Sequence, residues 1–501
     1  MIIKIEELKK LGWYTAFDKE SIEIKEITDD SRKVFNKTGF IAFDGISFKG
    51  KDFVFTALDK KASAVFVDEK YQREIKKDNR FKKSSPVFFA KNFRESTLKL
   101  IKYFFNEPAE NINLIGITGT NGKTTIGQAI YNVLNLLSEN TSYIGTLGYY
   151  FPDEKVESNL TTPGLIDLYR ALSKAKEKTV KYTALEVSSH GLSQKRTEKL
   201  KWSVCIFTNL TKDHLDYHKT MTKYFESKKL LFKELLKNSK TAKGAVICVK
   251  DEYGQKLFEW LKSKKPLFPI VSLGKNANAS ITAVKSSWDG YSGLLIYNNT
   301  SYELKTCQYG VFNLYNMASV FLALTLLGFD SRLILKKIEL LPAVPGRMDI
   351  IHAKNGRKII VDYAHTPDAL MNVLLTIKEL TPRKIITIFG CGGNRDKKKR
   401  PIMGKIAADF SDHVIITNDN PRDENPENIV NDIIKGISNK EYEIIYDRRK
   451  AIETGIKKLR KNECLLIAGK GHEDYQIIGK NKISFDDKLI AEEILKNIVL
   501  V

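Results

Sequence analysis

Short apolar runs typical of buried strands alternate along this chain with stretches of helical pattern. In the first hundred residues these runs lie at 39–43 and 64–67, among Lys-rich helical stretches. Further runs lie at 112–118, 182–187, 204–208 and 245–249, and then at 358–361, 384–389, 413–417 and 463–468. Strands that alternate with helices are expected to form parallel sheets covered by helices. The pattern therefore predicts the α/β class.

Two breaks in this pattern suggest how the chain is divided. Residues 105–110 are polar and include Pro108, and residues 341–346 contain two prolines and a glycine. A length of 501 residues agrees with about three domains. We expect a small N-terminal α/β domain at 1–110, a central parallel-sheet domain at 111–341, and a C-terminal Rossmann-like α/β domain at 342–501.

Composition and charge narrow the class of protein. Hydrophobic residues make up 42% and charged residues 28%, as in ordinary globular proteins. The longest nearly apolar run, 317–329, is shorter than the roughly 18 residues of a membrane-spanning helix, so we expect no membrane insertion. Five well-separated cysteines fit a reducing cytoplasm better than a disulfide framework. The net charge of +22 favours anionic partners, but no Arg-rich tail or RNA-binding motif appears, so nucleic acid is not expected.

A glycine-rich turn gives the strongest chemical signal. The string GTNGKTT at 119–125 directly follows the run at 112–118 and precedes a helical stretch. Glycines let backbone N–H groups approach phosphate oxygens, and the start of a helix adds partial positive charge. Lys123 would reach the β- and γ-phosphates, and the Thr124 hydroxyl would ligate Mg²⁺. The longer GxxxxGK[ST] spacing is not met, because Ile117 stands five positions before Gly122. The string predicts a P-loop ATPase-type central domain that binds ATP and Mg²⁺ through Gly119, Thr120, Asn121, Gly122, Lys123, Thr124 and Thr125.

Nine further strings appear in an order that identifies a family. They are DSR at 30–32, TTP at 161–163, EVSSHGL at 186–192, NLTKDHLDYH at 209–218, GVFN at 310–313, PGRM at 345–348, DYAH at 362–365, DNPR at 419–422 and GKGHE at 469–473. Together with GTNGKTT they make the chain resemble the Mur ligases of peptidoglycan synthesis, and among them the MurE type. Two departures are Asn394, where the family commonly has Asp, and Lys219, where Gly is usual.

The resemblance implies an ATP-dependent amide ligase of the EC 6.3.2 type. Such an enzyme adds meso-2,6-diaminopimelate to the D-Glu γ-carboxylate of UDP-MurNAc-L-Ala-D-Glu through an acyl phosphate. We expect a cytoplasmic monomer. Three alternatives stay open: a MurE-type ligase that adds L-lysine, an amide ligase similar to folylpolyglutamate synthetase, and, more remotely, a non-catalytic nucleotide-binding or RNA-associated protein.

Catalytic roles follow from the resemblance, position by position. Glu186 follows a predicted strand and His214 lies in a loop, and as oxygen and nitrogen ligands they suit a divalent cation. The family places its second Mg²⁺ on these two positions. Lys228 aligns with the lysine that the family carbamylates; Lys229 is adjacent, but the spacing favours Lys228. Contacts with adenine, ribose and phosphates are implied for Asn316, Asp362 and Arg347, respectively.

The resemblance also implies where the other substrates bind. Ser31 and the loop at 45–50 would hold the uridine diphosphate. The sugar and dipeptide would meet Thr161, Thr162, Ser188, Gln194 and Arg196. The incoming amino acid would meet Arg395, Asp419, Asn420, Pro421, Arg422, Gly469 and Glu473. No role is predicted for His190, His218 or His365.

The DNPR string predicts the choice of amino acid. A guanidinium at Arg422 can clamp the distal carboxylate of diaminopimelate through two hydrogen bonds. Lysine has no such carboxylate, so the buried arginine would penalise it. Glu473 would hold the distal ammonium. The isostere meso-lanthionine satisfies the same clamp and remains an alternative.

Overall fold

The computed structural model describes residues 1–45, 48–158, 160–380, 383–438 and 440–499. Ile46 and Ser47, which belong to the predicted uridine-diphosphate loop, lie outside the described residues. Three separate α/β sheets follow one another along the chain, as the alternating pattern predicts. Within the described part of the chain, no helix is long and apolar enough to cross a membrane.

The N-terminal sheet has four parallel strands in sequence order, beside a two-stranded antiparallel ribbon. The ribbon is formed by β1 (Ile2–Lys4) and β2 (Ser21–Glu23), and the sheet by β3 (Glu26–Thr28), β4 (Thr38–Ile41), β5 (Ala64–Asp68) and β6 (Val87–Ala90). The helices are α1 (Ile5–Lys10), α2 (Val54–Asp59), α3 (Gln72–Lys77) and α4 (Phe93–Phe104).

The central sheet has eleven strands in the order β10-β9-β8-β11-β7-β12-β13-β14-β15-β16-β17. Its strands are β7 (Asn113–Thr118), β8 (Thr141–Gly145), β9 (Gly148–Phe151), β10 (Glu154–Val156), β11 (Tyr182–Glu186), β12 (Trp202–Phe207), β13 (Gly244–Cys248), β14 (Ile270–Leu273), β15 (Ala279–Ser287), β16 (Gly290–Tyr297) and β17 (Thr300–Thr306). Its helices are α5 (Lys123–Leu136), α6 (Leu165–Glu177), α7 (Ser189–Ser193), α8 (Leu215–His218), α9 (Met221–Lys237), α10 (Glu252–Ser263), α11 (Val311–Leu326) and α12 (Ser331–Glu339).

The centre of this sheet is parallel, as predicted, but both of its edges are antiparallel. Strands β8, β11, β7, β12, β13 and β14 run parallel, and β15 joins β14 in parallel through one residue pair. Strands β9 and β10 at one edge, and β15, β16 and β17 at the other, are connected by antiparallel pairing. In β16, Tyr291 and Leu295 are buried while Leu294 and Ile296 are exposed. This alternation is typical of a sheet with one covered face. The whole sheet is therefore mixed rather than purely parallel.

The C-terminal sheet has six strands in the order β18-β19-β23-β20-β21-β22, and only β18 among them is antiparallel to its neighbour. The strands are β18 (Asp349–His352), β19 (Lys358–Asp362), β20 (Ile385–Phe389), β21 (His413–Ile416), β22 (Tyr442–Ile444) and β23 (Cys464–Ala468), followed by the separate hairpin β24 (Tyr475–Ile478) and β25 (Asn481–Ser484). The helices are α13 (Pro367–Leu380), α14 (Lys399–Phe410), α15 (Pro426–Ile434), α16 (Arg448–Lys458) and α17 (Asp487–Val499).

Two large apolar cores connect the three sheets. One runs from the face of the central sheet that α5 and α11 cover into the C-terminal sheet. The other joins the N-terminal sheet to the opposite face, where Trp202 and Leu231 are buried. The carboxyl ends of parallel strands meet at one edge of a sheet, where ligands bind in open α/β folds. The candidate binding loops are therefore those that follow β7, β11, β12, β19, β20, β21 and β23.

Candidate active site

The glycine-rich loop lies between the buried strand β7 and the 14-residue helix α5. Gly122 has a φ of +88°, and a β-carbon there would stand 2.7 Å from Asn316 Oδ1. A side chain there would strain the backbone and press on the Asn316 side chain. Lys123 Nζ donates to the carbonyl oxygens of Gly119 at 2.9 Å and Thr120 at 2.8 Å. The lysine curls over a loop whose backbone and helix start form an anion-binding site.

Glu186 lies at the end of β11, beside β7, and its side chain is buried. The carboxylate accepts hydrogen bonds from the Thr124 hydroxyl at 3.1 Å and from the backbone N–H and hydroxyl of Thr146 at 3.0 and 3.1 Å. The Tyr143 hydroxyl donates to it as well. A hydroxyl and a carboxylate thus meet at the start of α5, and these are oxygen donors of the kind that Mg²⁺ prefers.

His214 stands in the loop after β12, with a left-handed backbone (φ 53°). Its Nε2 lies 3.2 Å from Asp213 Oδ2, and its ring centroid lies 5.0 Å from that of His190. Burial lowers the pKa of His214, so the imidazole is neutral and has a free electron pair to offer. Among the described residues, no group of three or more His, Cys, Asp or Glu side chains is arranged to hold a metal by itself. A cation here would need phosphate or other oxygen ligands in addition.

The structure distinguishes the two adjacent lysines of α9. Lys228 is buried, and its Nζ donates to the Gly119 carbonyl at 2.7 Å. Burial, with Lys123 nearby, lowers the pKa of Lys228 well below its usual value. Lys229 instead pairs with Glu226 at 3.0 Å and lies over the Trp260 ring. Only Lys228 therefore faces the glycine-rich loop, which favours the predicted register.

A cavity of about 280 Å³ lies between the central and C-terminal sheets. Its lining includes all three residues predicted to contact the nucleotide outside the P-loop, namely Asn316, Arg347 and Asp362. The Arg347 guanidinium lies over the Tyr363 ring at 4.7 Å. The Asp362 carboxylate accepts from the backbone N–H groups of Met348 and Ala364, both at 2.7 Å, which fixes its orientation.

The cavity is also crossed by a direct contact that sequence reasoning missed. Asn121 of the glycine-rich loop donates from Nδ2 to Asp368 Oδ2 at 2.9 Å. Asp368 lies in the first turn of α13, so the contact joins the two sheets. Asp368 comes just after the DYAH string, following Thr366 and Pro367. Its closeness to that string is the feature of the sequence that could have identified it.

The residues predicted to hold the sugar and dipeptide gather beside Glu186. The Thr162 hydroxyl donates to the Glu186 carbonyl at 2.8 Å and accepts from the Ser188 N–H at 2.9 Å. Arg196 donates to the Thr162 carbonyl at 2.6 Å and, through two nitrogens, to Gln194 Oε1. The Thr161 hydroxyl lies 3.1 Å from that of Thr146. These five positions line the same edge of the sheet as the P-loop.

Ser31 lies apart, in a 3₁₀ turn (Ser31–Lys33) after β3 of the N-terminal sheet. Its carbonyl accepts a hydrogen bond from Lys60 Nζ at 2.9 Å. Because residues 46 and 47 lie outside the described ranges, the structure does not join Ser31 to the complete predicted loop.

The predicted amino-acid residues come from three loops that follow β20, β21 and β23. Asn420 Nδ2 donates to Glu473 Oε2 at 3.0 Å, and Arg422 Nη1 donates to the Gly393 carbonyl at 3.0 Å. A β-carbon on Gly469, whose φ is +119°, would stand 2.8 Å from Asp419 Oδ2. These contacts bring the DNPR and GKGHE strings together, and Pro421 and Arg395 lie within the same loops.

Both departures from the family strings occupy left-handed backbone positions. Asn394 has a φ of 54°, which Asn tolerates better than most residues, and its N–H donates to Glu424 Oε2. Lys219 has a φ of 67°. Asn394 thus keeps its loop attached to the DNPR loop.

Four other residues at the site were not predicted. Tyr143 and Thr146 hold the Glu186 carboxylate, and Asp213 holds His214. Lys470 is buried with its Nζ 3.2 Å from Glu473 Oε2. Lys470 lies inside the GKGHE string and Asp213 inside NLTKDHLDYH, so a reading of each string residue by residue would have found them. Tyr143 belongs to none of the strings, so the strings do not point to it.

Comparisons with known proteins agree with this geometry. Family models match residues 117–324 as "Mur ligase middle domain" and residues 346–471 as "Mur ligase, glutamate ligase domain". A UDP-N-acetylmuramoyl-L-alanyl-D-glutamate–2,6-diaminopimelate ligase from Clostridioides difficile is 38% identical, over 95% of this chain and 96% of its own length. A ligase of the same name from Fusobacterium nucleatum is 40% identical over 92% of each chain. A solved structure of a ligase with this name superposes with a TM-score of 0.67 at 29% identity, over 100% of both chains. The chain belongs to the Mur ligase family.

Proposed function

We propose that this protein joins meso-2,6-diaminopimelate to the D-Glu γ-carboxylate of UDP-MurNAc-L-Ala-D-Glu, using ATP and Mg²⁺. The observation that carries the proposal is the convergence of Asn420, Arg422 and Glu473 at one edge of the C-terminal sheet. This edge offers a guanidinium for a carboxylate and a carboxylate for an ammonium, which are the two groups at the distal end of diaminopimelate. The names of the similar ligases support the same substrate.

Each part of the chain would bind one substrate. Residues 1–110 would hold the uridine diphosphate through Ser31, residues 111–341 would hold ATP, and residues 342–501 would hold the amino acid. We place the reaction in the cytoplasm, where ATP and nucleotide-linked precursors are found, and propose that the protein acts as a monomer.

The phosphoryl transfer would depend on charge neutralisation and positioning. Lys123 and Arg347 would meet the phosphate oxygens while the D-Glu carboxylate oxygen takes the γ-phosphoryl group. Thr124, Glu186, His214 and a carbamylated Lys228 would hold Mg²⁺, whose bound charge offsets that of the phosphates. The amine of the amino acid then attacks the acyl phosphate carbonyl, and phosphate leaves as the amide forms. Since this sequence of steps needs no nucleophilic side chain, the site is built for orientation.

Choice of amino acid would follow from the cost of leaving the partly buried Arg422 guanidinium without an anionic partner. Lysine would leave the Arg422 guanidinium without its carboxylate, so we expect it to be a poor substrate. Meso-lanthionine presents the same distal groups and should be accepted.

The test is to incubate the protein with ATP, Mg²⁺ and UDP-MurNAc-L-Ala-D-Glu, adding each amino acid in a separate reaction. Mass spectrometry should detect a tripeptide product with diaminopimelate and one ADP per amide formed. The Lys123→Met variant is the control for contaminating activity and should give no product. Absence of any amide product from folded wild-type protein would overturn the proposal.

A further inference from the structure

A fully buried ion pair lies beneath the proposed amino-acid site. Arg448 is the first residue of α16 and Asp487 the first of α17, and both side chains are fully buried. Arg448 Nε donates to Asp487 Oδ1 at 2.8 Å, and its Nη2 donates to Oδ2 at 2.7 Å. This two-point contact holds the plane of the guanidinium in one orientation.

The remaining hydrogen bonds of this guanidinium reach two strand ends. Nη2 donates to the Ala468 carbonyl at 3.1 Å, and Nη1 donates to the Asn418 carbonyl at 3.3 Å. These carbonyls immediately precede Gly469 and Asp419. Strands β23 and β21 are not neighbours, because β20 lies between them in the sheet. A single side chain therefore connects the two loops that face each other across the site.

Helix packing alone does not account for this pair. Helices α16 and α17 already contact each other through buried apolar residues, namely Ala451, Ile452, Ile490, Ala491 and Ile494. Removing two charges from water is costly before their mutual attraction is counted, so a buried pair is a poor means of adding stability. The next residue along the chain, Arg449, forms a comparable pair that is not buried. Arg449 pairs with Glu493 on the same two helices at 2.5 Å, but at the surface.

We propose that Arg448, oriented by Asp487, is a positioning residue that sets the separation of Asp419 and Gly469, and so sets affinity for the incoming amino acid. The inference rests on the proposed function, which places the amino acid between these loops. Arg448 itself touches no substrate. A small displacement of either loop would misplace the groups that hold the distal end of the amino acid.

The test compares steady-state constants of Arg448→Lys and Asp487→Asn with those of Arg449→Lys and Glu493→Gln. Lysine keeps the charge but lacks the planar fork that reaches four acceptor atoms on three residues. Asparagine keeps the shape of Asp487 but removes its charge. For both buried variants we expect the KM for diaminopimelate to rise about tenfold or more. The KM for ATP, the KM for the UDP-linked substrate and the kcat should each change by about twofold or less. The two surface variants should leave every constant at the wild-type value.

Several outcomes would overturn the inference. An unchanged KM for diaminopimelate, with only a lower Tm or kcat, would assign Arg448 a purely structural role. If neither Arg448→Lys nor Asp487→Asn folds, the role of Arg448 is likewise purely structural. If wild-type protein adds no amino acid at all, the proposed function fails instead, and that result is seen before any variant is compared.

Discussion

Lys123 and Lys228 donate hydrogen bonds to the same oxygen, the backbone carbonyl of Gly119, at 2.9 and 2.7 Å. Burial disfavours the charge of both ammonium groups, and Lys123 adds repulsion at Lys228. The pKa values of both lysines are lowered, that of Lys228 well below the usual lysine range. Lys228 is therefore deprotonated more readily than an exposed lysine, and an anionic product there would be attracted to Lys123 rather than repelled by it.

The first prediction is that Lys228 forms a carbamate with CO₂, which reacts with neutral amines only. Wild-type protein in ¹³C-labelled bicarbonate should give a carbamate carbon resonance that Lys228→Gln lacks. Lys229→Gln is the matched control and should keep the resonance, because Lys229 pairs with Glu226 away from the loop. Loss of the signal in the Lys229 variant alone would reverse the assignment.

Tyr143 gives a second prediction, because its hydroxyl donates to Glu186 from a buried position. Gly145 and Gly127 leave room for it, since a β-carbon on Gly145 would collide with the hydroxyl, and one on Gly127 would stand 2.9 Å from the ring. Tyr143→Phe should weaken divalent-cation binding about tenfold, as loss of a hydrogen bond to a metal ligand usually does.

The cation affinity is measured with Mn²⁺ by electron paramagnetic resonance, in the presence of a non-hydrolysable ATP analogue. Tyr150→Phe is the control, since its ring packs against Tyr143 at a centroid distance of 5.4 Å. Equal Mn²⁺ affinities for wild type and Tyr143→Phe would show that the hydroxyl does not orient Glu186.

How far the sequence predicts this molecule depends on the type of feature. The three sheets follow from alternating strand and helix patterns, and the glycine-rich loop follows from a short string that local backbone chemistry requires. The edge strands β15–β17 were not predicted, because many of their residues are exposed and polar residues interrupt their apolar positions. Tyr143, Asp368 and Arg448 were missed for a different reason. Each acts through a contact with a residue distant in sequence, and only the packed fold brings such pairs together.

Gly469 provides a third prediction with a closely matched control. Gly469→Ala should raise the KM for diaminopimelate about tenfold, because the new β-carbon would press on Asp419, which stands 2.8 Å away, where the substrate is held. Gly328→Ala is a close match in backbone penalty, since its φ is +94°, but its β-carbon would meet nothing within 4 Å. Both variants should lose stability, and only the first should lose amino-acid affinity. Equal KM values in the two would contradict the placement of the site.

The Arg400–Glu424 pair gives a prediction for acid stability. Arg400 donates twice to Glu424 at 2.8 Å and holds the pKa of that carboxyl at about 2, against an ordinary 4.5. A lowered folded-state pKa means that the stabilisation is complete above about pH 4.5 and is lost as the pH falls towards 2. Glu424→Gln should therefore lower the free energy of unfolding at pH 7 by on the order of 3 kcal/mol.

The difference in free energy of unfolding between wild type and Glu424→Gln should become smaller as the pH falls below about 4.5. Urea unfolding at each pH measures this difference. Glu427→Gln, at a nearby exposed position, is the control and should show little difference at any pH. If the loss of unfolding free energy in Glu424→Gln does not change with pH, the charge of the Glu424 carboxylate contributes nothing to stability.

The most direct measurement is a competition in one reaction. Wild-type protein receives ATP, Mg²⁺, UDP-MurNAc-L-Ala-D-Glu and equal concentrations of meso-diaminopimelate and L-lysine, and the tripeptide products are separated by mass. The diaminopimelate product should dominate, and Arg422→Gln should lose most of that product while the small lysine product is little changed. A wild-type preference for lysine, or an unchanged product ratio in Arg422→Gln, would contradict the role of Arg422 as the clamp for the distal carboxylate.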